Sequence, residues 1–324
     1  MYNINELHEL VDRGIKNLSF PEEPSLLYTP VRYALASGGK RIRPILVLVS
    51  CNVYSESVDD AIFPALAVEL FHNFTLIHDD IMDNAPLRRN QPTVYNKWGS
   101  NVAILSGDAM YVMAYQLLAK TEKSKLGKVL SVFNDIALGV CEGQQMDMDF
   151  ETTQFVTQDE YLKMIELKTS VLVKGALQIG GIIGGAPDSD IIKLGDFGLN
   201  LGIAFQLQDD LLDSYGDSNL FGKKIGGDII ANKKTFLTIK AFSLAKGNTL
   251  NLLNGYFKAE NIDPEKKVSG VKEIYDKLGI KQITEEKIQE FYQKALIAYE
   301  KLNENFDRKH ILLSLAESIM GRTS

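Results

Sequence analysis

Along most of the chain, apolar side chains return every third or fourth position, the spacing that lines one face of an α-helix. The pattern predicts helices in "ELHELVDRGIKNL" (6–18), "YTPVRYALASG" (28–38), "DDAIFPALAVELFHNFTLIHDD" (59–80), "NVAILSGDAMYVMAYQLLAK" (101–120) and "KVLSVFNDIALGVCEGQQMDMD" (128–149). It continues through 156–184, 190–215, 234–257 and 284–304. There is no convincing pair of runs alternating apolar with polar, and no hairpin-type Asn-Gly or Asp-Gly turn between such runs. The joining segments "GGKRIRP", "PLRRNQPT" and "GDSNLFGKKIGGD" are short and polar, and none resembles a long linker. The expectation is an all-α fold of ten or more helices in one domain spanning 1–324. "GGIIGGAPDSD" (180–190) has a glycine pattern reminiscent of a nucleotide loop. No strand pattern precedes it and no Gly-Lys-Ser/Thr closes it, so close helix packing at small residues is the better reading.

Two helical runs end on carboxylates. "DDIMD" at 79–83 closes "ELFHNFTLIH", and "DDLLD" at 209–213 closes "GIAFQLQ", 130 positions later. On a helix Asp79 and Asp83 lie one turn apart on one face, as do Asp209 and Asp213. The plain alternative is a solvated helix end, which is how Asp59-Asp60 in "SVDDAIF" reads, where no third aspartate follows. Two identical triplets argue against that alternative. Carboxylates this close repel, or shift their pKa values upward, unless a cation neutralises them. Oxygen-only ligands, few per ion, suit Mg²⁺, which keeps waters and bridges to phosphates. The aspartates are therefore expected to hold magnesium, and the magnesium a polyphosphate.

The composition supports a globular chain: 324 residues, 45% hydrophobic and 24% charged. A net charge of −7, from 42 acidic and 35 basic side chains, implies no general affinity for nucleic acid. The two cysteines, Cys51 and Cys141, lie in apolar helical patterns, which fits a reducing, cytoplasmic setting. The N-terminal "MYNINELHELVDRG" is acidic and amphipathic, unlike a signal or transit peptide. The longest apolar run, "SVLVKGALQIGGIIGGA", is interrupted by Lys174 and is short for a membrane span, so no span is expected.

The basic residues match an anionic ligand. "GGKRIRP" supplies Lys40, Arg41 and Arg43 beside two glycines, and "LRRNQPT" supplies Arg88 and Arg89 just past the first acidic triplet. "ELKTS" supplies Lys168 and Thr169, and "GKKIGGDIIANKK" supplies Lys223, Lys224, Lys233 and Lys234. A single basic pair reads as a solvated face. Four clusters alternating with two acidic motifs read as a phosphate site, for which paired arginines offer bidentate contact.

Taken in order, "GGKRIRP", "LIHDDIMD", "LRR", "GQQMD", "KTS", "FQLQDDLLD" and "GKKIGGDIIANKK" resemble the trans-isoprenyl diphosphate synthases of the polyprenyl synthetase family, which includes farnesyl and geranylgeranyl diphosphate synthases. The match covers roughly residues 25 to 240, and the last third of the chain carries no diagnostic motif. The resemblance implies an isoprenoid-synthase helical bundle around a central cavity, and a homodimer. It implies three Mg²⁺, held by Asp79 and Asp83 with Asp80 in support, and by Asp209 with Asp213 in an outer shell. The allylic diphosphate (dimethylallyl, geranyl or farnesyl) would be met by Arg88, Lys168 and Lys233, with Lys224. Isopentenyl diphosphate would lie against Gly39, Lys40, Arg43, His72 and Arg89. His72 is seven residues before Asp79 and shares its face; from spacing alone it is equally a core histidine. Thr169, Gln206 and the Lys168 carbonyl resemble the family's dipoles near the reacting carbon, and Gln144 and Asp147 those that brace that side.

The implied chemistry is head-to-tail condensation. Three Mg²⁺ and the cationic side chains would stabilise charge on the leaving diphosphate while the allylic carbon ionises. The double bond of isopentenyl diphosphate would then attack, and a proton would be lost to the released diphosphate, since no side chain is an obvious general base. Water must be excluded, because it would quench the cation. A class I terpene cyclase shares the first motif, but usually has an Asn/Ser/Glu-type second motif and no second diphosphate site. A non-catalytic subunit of a heteromeric synthase would show eroded aspartates, and both triplets are complete here. The C-terminal "LAESIMGRTS" offers only Arg322 where some relatives place several basic residues.

Product length is expected to be set below Asp79. At ~1.5 Å per residue, positions four, five and eight before it lie roughly 6, 7.5 and 12 Å deep. They hold Thr75, Phe74 and Phe71. In relatives, aromatics at both the fourth and fifth positions close the pocket at fifteen carbons, while one at the fifth alone resembles geranylgeranyl synthases. The twenty-carbon product is expected, with the fifteen-carbon product as the alternative. Helical angle alone does not make Phe74 a floor, and both phenylalanines also read as ordinary core.

Overall fold

The computed structural model describes residues 1–216, 225–259, 261–304 and 306–321. Backbone contacts divide the chain into two compact units. The first comprises 1–134, 175–194 and 302–313, and the second comprises 135–174, 195–301 and 314–324.

The elements in chain order are α1 (Ile4–Lys16), α2 (Ser25–Ala36), α3 (Ile42–Tyr54), α4 (Ile62–Met82), β1 (Leu87–Arg88), β2 (Gln91–Pro92), α5 (Val94–Trp98), α6 (Ser100–Leu118), α7 (Lys123–Thr152) and α8 (Gln158–Ile165). After a π-turn at Glu166–Ser170 come α9 (Val171–Gly184), α10 (Asp188–Tyr215), α11 (Gly227–Ile230), α12 (Phe236–Leu244), α13 (Gly247–Lys258), α14 (Pro264–Lys277), α15 (Ile280–Glu300) and α16 (Phe306–Met320). The all-α reading holds.

Local signals set several helix starts. Asn3 and Glu6 satisfy each other's backbone N–H groups at the start of α1, as Thr157 and Glu160 do at α8. In the first unit α3 is buried from Pro44 to Val53 and α4 from Pro64 to Phe71, so these two helices form its interior. The glycines of "GGIIGGAPDSD" do pack helices closely: a Cβ on Gly180 would lie 2.1 Å from the Val47 carbonyl oxygen, and one on Gly184 2.8 Å from that of Cys51. The second unit has its own core around Phe236, Leu237, Val271, Tyr275 and Ile280, with Leu207 and Leu211 of α10. Among the described residues one helix, Asp59–Met82, is long and apolar enough to cross a membrane, and 61% of its apolar window is buried inside the protein.

The structure departs from the sequence reading in several places. Residues 87–92 pair as a two-residue antiparallel hairpin, Leu87 with Pro92 and Arg88 with Gln91. Its turn is made by Arg89 and Asn90, both left-handed at φ 52° and 60°, with no glycine to signal it. The run 156–184 is divided by the π-turn, where the Val171 N–H reaches back five residues to the Glu166 carbonyl. The run 234–257 breaks at the extended residues Ala245 and Lys246. Finally, α3 begins inside "GGKRIRP", because a proline is tolerated in the first turn, where helix N–H groups lack partners anyway.

Candidate active site

In the first unit the acidic triplet closes α4. Asp79 is half-buried and Asp83 exposed; Asp83 caps the helix, its N–H donating to the Asp79 carbonyl at 2.8 Å. The last turn of α4 contains no basic residue. Carboxylates at the negative end of a helix dipole are unfavourable unless a cation is bound there. Asp80 faces the other way: it is buried, and its Oδ1 accepts from Arg88 Nε at 2.8 Å. Burial pushes its carboxyl up, Arg88 draws it down, and Asp79 and Asp83 push it up. Arg88 and Asp80 thus brace the hairpin against α4, with Asp80 in a supporting place.

The hairpin also aims Arg89. Its guanidinium donates to the Gly38 carbonyl, and a Cβ on Gly39, whose φ is 132°, would lie 2.6 Å from Arg89 Nη1. Only glycine permits that approach. Arg43 Nη1 lies 3.1 Å from His72 Nε2. Burial, then the charges of Arg43, Arg89, Arg88 and Arg41, hold the His72 imidazole well below its usual pKa, so it is neutral and accepts from Arg43. Gly39, Arg43, His72 and Arg89 therefore come together in this unit. Arg41 does not join them. It turns inward, donating to Glu69 Oε1 and to the Leu35 carbonyl, both at 2.5 Å.

Below the triplet, Phe74 stacks on Tyr111 with centroids 5.1 Å apart and planes 18° from parallel. Phe71 packs against Phe74, Tyr111 and Phe133 at 5.6, 5.7 and 5.2 Å. Tyr115 OH lies 3.4 Å from Tyr111 OH and donates to Asn134 Oδ1 at 2.7 Å. Thr75 is half-buried and its hydroxyl donates to the His72 carbonyl at 2.8 Å, so its side chain folds back on α4. The phenylalanines named from the sequence are thus part of an aromatic layer completed by Tyr111, Tyr115 and Phe133, whose positions on α6 and α7 gave no signal.

In the second unit a cavity of about 260 Å³ is lined by Asp147, Lys168, Thr169, Gln206, Asp209, Asp213, Asp228 and Lys233, among others. The π-turn presents Lys168 and Thr169. It is pressed by two glycines: a Cβ on Gly143 of α7 would meet the Lys168 nitrogen at 2.2 Å, and one on Gly202 of α10 would meet Ser170 Cα at 2.8 Å. Lys168 Nζ donates to Asp147 Oδ2 at 2.6 Å. Thr169 donates to Gln206 Oε1 at 3.1 Å, and Gln206 Nε2 donates to Asp210 Oδ1 at 3.1 Å. The buried Tyr161 hydroxyl donates to the other oxygen of Asp210. Asp210 is therefore the inward member of its triplet, as Asp80 is of the first, while Asp209 and Asp213 face the cavity. Burial, then Asp228, holds the Asp210 carboxyl well above its ordinary range. Asp228, which the sequence reading passed over among the lysines of its motif, is pushed up to about 6 by burial and Asp213 against the pull of Lys233.

The sequence profile of the polyprenyl synthetase family matches residues 24–278. The chain belongs to this family. It is 42% identical over 244 residues to the geranylgeranyl diphosphate synthase of Methanosarcina mazei, covering 75% of each chain. It is similar to a crystal structure of a geranylgeranyl pyrophosphate synthase, with TM-score 0.95, 44% identity and full coverage of both chains. The Pyrococcus horikoshii geranylgeranyl pyrophosphate synthetase matches with TM-score 0.91 and 36% identity over 98% of this chain and 96% of that one. The chain is a short-chain prenyltransferase of a family that uses Mg²⁺.

Among the described residues, no three of His, Cys, Asp and Glu form a cage able to hold a metal without other ligands. What is present fits Mg²⁺: hard carboxylate oxygens, few per site, at helix ends that need a cation. Lys40 is exposed. Lys223, Lys224 and Arg322 lie outside the described residues.

Proposed function

We propose that the chain condenses an allylic diphosphate with isopentenyl diphosphate and releases geranylgeranyl diphosphate. The observation that carries the reading is the pair of acidic helix ends, each with its outer aspartates on the open side and its middle aspartate turned inward. Asp79 and Asp83, with Asp80 in support, and Asp209, with Asp213 in an outer shell, would hold three Mg²⁺, which would supply the positive charge that a departing diphosphate needs. Arg88, Lys168 and Lys233, with Lys224, bind the same diphosphate. Arg43, Arg89 and Lys40 bind isopentenyl diphosphate beside Gly39, with His72 fixing the Arg43 guanidinium. The Thr169 and Gln206 oxygens and the Lys168 carbonyl stabilise the allylic cation without trapping it. The Asp210 carboxyl orients Gln206 by taking its amide N–H on Oδ1, leaving Oε1 as the oxygen end.

The twenty-carbon product rests on Thr75 leaving room below Asp79 and on the aromatic layer under it. The similar chains named as geranylgeranyl diphosphate synthases support it. A homodimer and a cytoplasmic location belong to the same reading; exposed Ile104, Leu105 and Val112 on α6 give a second copy an apolar face to cover.

The test is incubation of the purified chain with dimethylallyl diphosphate, isopentenyl diphosphate and Mg²⁺, followed by chromatography of the dephosphorylated products. A twenty-carbon alcohol is expected, and EDTA should abolish its formation reversibly. Asp79→Ala or Asp209→Ala should lower turnover by roughly a hundred-fold or more with the fold intact, since each removes a ligand that acts in the transition state. A fifteen-carbon product overturns the chain length; full activity in EDTA overturns the reading altogether.

A further inference from the structure

α14 lies where the sequence shows no motif, yet it buries a lysine. Lys267 is 3% exposed, a depth lysine almost never reaches unpaired. Its ammonium donates to Asn232 Oδ1 at 2.6 Å and to the Ile230 carbonyl at 3.2 Å, and it stands 5.3 Å from the Phe257 ring. Both hydrogen-bond acceptors are neutral. Burying an ammonium against neutral acceptors is costly, and a methionine would fill the same volume without that cost. Stability alone does not account for a lysine here.

What the lysine holds is the segment from Ile225 to Thr235, which carries Asp228 and Lys233. The start of this segment is tied to α10. Gly226 N–H donates to the Asp213 carbonyl at 2.6 Å, and Asp228 N–H to Asp213 Oδ2 at 3.0 Å. Its end is tied to α7 and the residues after it, where Lys234 donates to the Phe150 and Thr153 carbonyls. Between these ties Asn232 sits in the left-handed region at φ 57°. Lys233 follows it directly, with its N–H donating to the Asp228 carbonyl at 2.9 Å and its Nζ 3.6 Å from Asp228 Oδ1. The segment rests on α14, for a Cβ on Gly226 would come within 2.6 Å of Val268 Cγ2.

We propose that Lys267 is a positioning residue: by holding Ile230 and Asn232 it fixes the backbone that aims Lys233 at the allylic diphosphate. The proposal rests on the role given to Lys233 above. Lys267 touches no substrate and acts through one residue that does.

The test is a cycle of Lys267→Met, Lys233→Ala and the double variant in the full-length enzyme with Mg²⁺, measuring KM for each substrate separately. Lys267→Met should raise KM for dimethylallyl diphosphate by roughly five-fold or more, within the coupling expected of residues sharing one network. KM for isopentenyl diphosphate should not move. The double variant should be no worse than Lys233→Ala. Asn232→Gly removes one acceptor without leaving a buried charge's site empty, and should shift the allylic KM in the same direction should Lys267→Met fold poorly. If Lys233→Ala raises the allylic KM while Lys267→Met and Asn232→Gly do not, the proposal falls and the site stands. Multiplying effects in the double variant likewise refute it. A silent Lys233→Ala overturns the site reading, and the proposal with it.

Discussion

The Arg41–Glu69 pair separates the basic residues proposed to bind substrate from one that holds the fold. Its side chains are 8% and 4% exposed, and Nη1 and Oε1 are 2.5 Å apart. Arg41→Met keeps most of the volume but strands the Glu69 carboxylate with Asn73 Nδ2, at 2.9 Å, as its remaining donor. It also removes the donor to the Leu35 carbonyl. Leaving such a charge uncompensated costs about 3–5 kcal/mol, a large share of a total stability of about 5–15 kcal/mol. Glu69→Leu should cost a comparable amount by stranding Arg41. The double variant Arg41→Met/Glu69→Leu leaves no buried charge and should recover most of the loss, because apolar pairs of similar size commonly replace buried ion pairs at little cost. Asn73 keeps a partner there, since Nδ2 also donates to the Glu69 backbone carbonyl at 2.8 Å. Urea unfolding followed by circular dichroism gives the three free-energy changes. In the double variant KM for isopentenyl diphosphate should stay near wild type, because the Arg43–His72 contact is untouched. An Arg41→Met loss under about 1 kcal/mol, far below the range for a broken buried pair, would show that the pair is not buried in solution. A double variant as unstable as the two single losses added would show that the charges were not each other's compensation.

Two further outcomes follow from the site and the core. Phe74→Ala and Tyr111→Ala should each lengthen the prenyl product, since either opens the stacked pair, whereas Thr75→Phe should shorten it; unchanged chromatograms for all three would remove the aromatic layer as the floor. Burial pushes the Cys51 thiol up to about 12, so at pH 8 only about one molecule in ten thousand is thiolate there, against roughly a quarter for an ordinary cysteine. A chromogenic disulfide reagent should therefore titrate the exposed Cys141 in the native protein and Cys51 only after unfolding, and rapid reaction of both would contradict this.

The sequence disclosed whatever rests on period or spacing. Apolar positions three and four apart gave most of the helices, and the repeated triplets gave both acidic helix ends, because these signals are local. It did not disclose what holds the middle member of each triplet inward, since Arg88 and Tyr161 arrive from elsewhere. Nor did the basic residues of "GGKRIRP" announce their division of labour: Arg41 and Arg43 differ by what Glu69 and His72 offer them across 28 and 29 residues of chain. The hairpin at 87–92 escaped notice because its left-handed turn uses arginine and asparagine instead of glycine. Lys267 gave no sign at all, as a lysine among "PEKKVSG" looks like any solvated helix face.

The wide turn at Glu166–Ser170 has a consequence for how this protein can change. A π-turn holds one residue more than an α-turn, so losing a single residue between 166 and 170 would let α8 and α9 fuse into one regular helix. The helices on either side would keep their core faces, and the scaffold would survive. Lys168 and Thr169 would instead rotate off the place where Gly143 and Gly202 receive them, and the cavity would lose both. On the roles proposed for Lys168 and Thr169, one codon would divide an active enzyme from an inactive chain of the same shape. A lineage that had lost it would still superimpose on its active cousins.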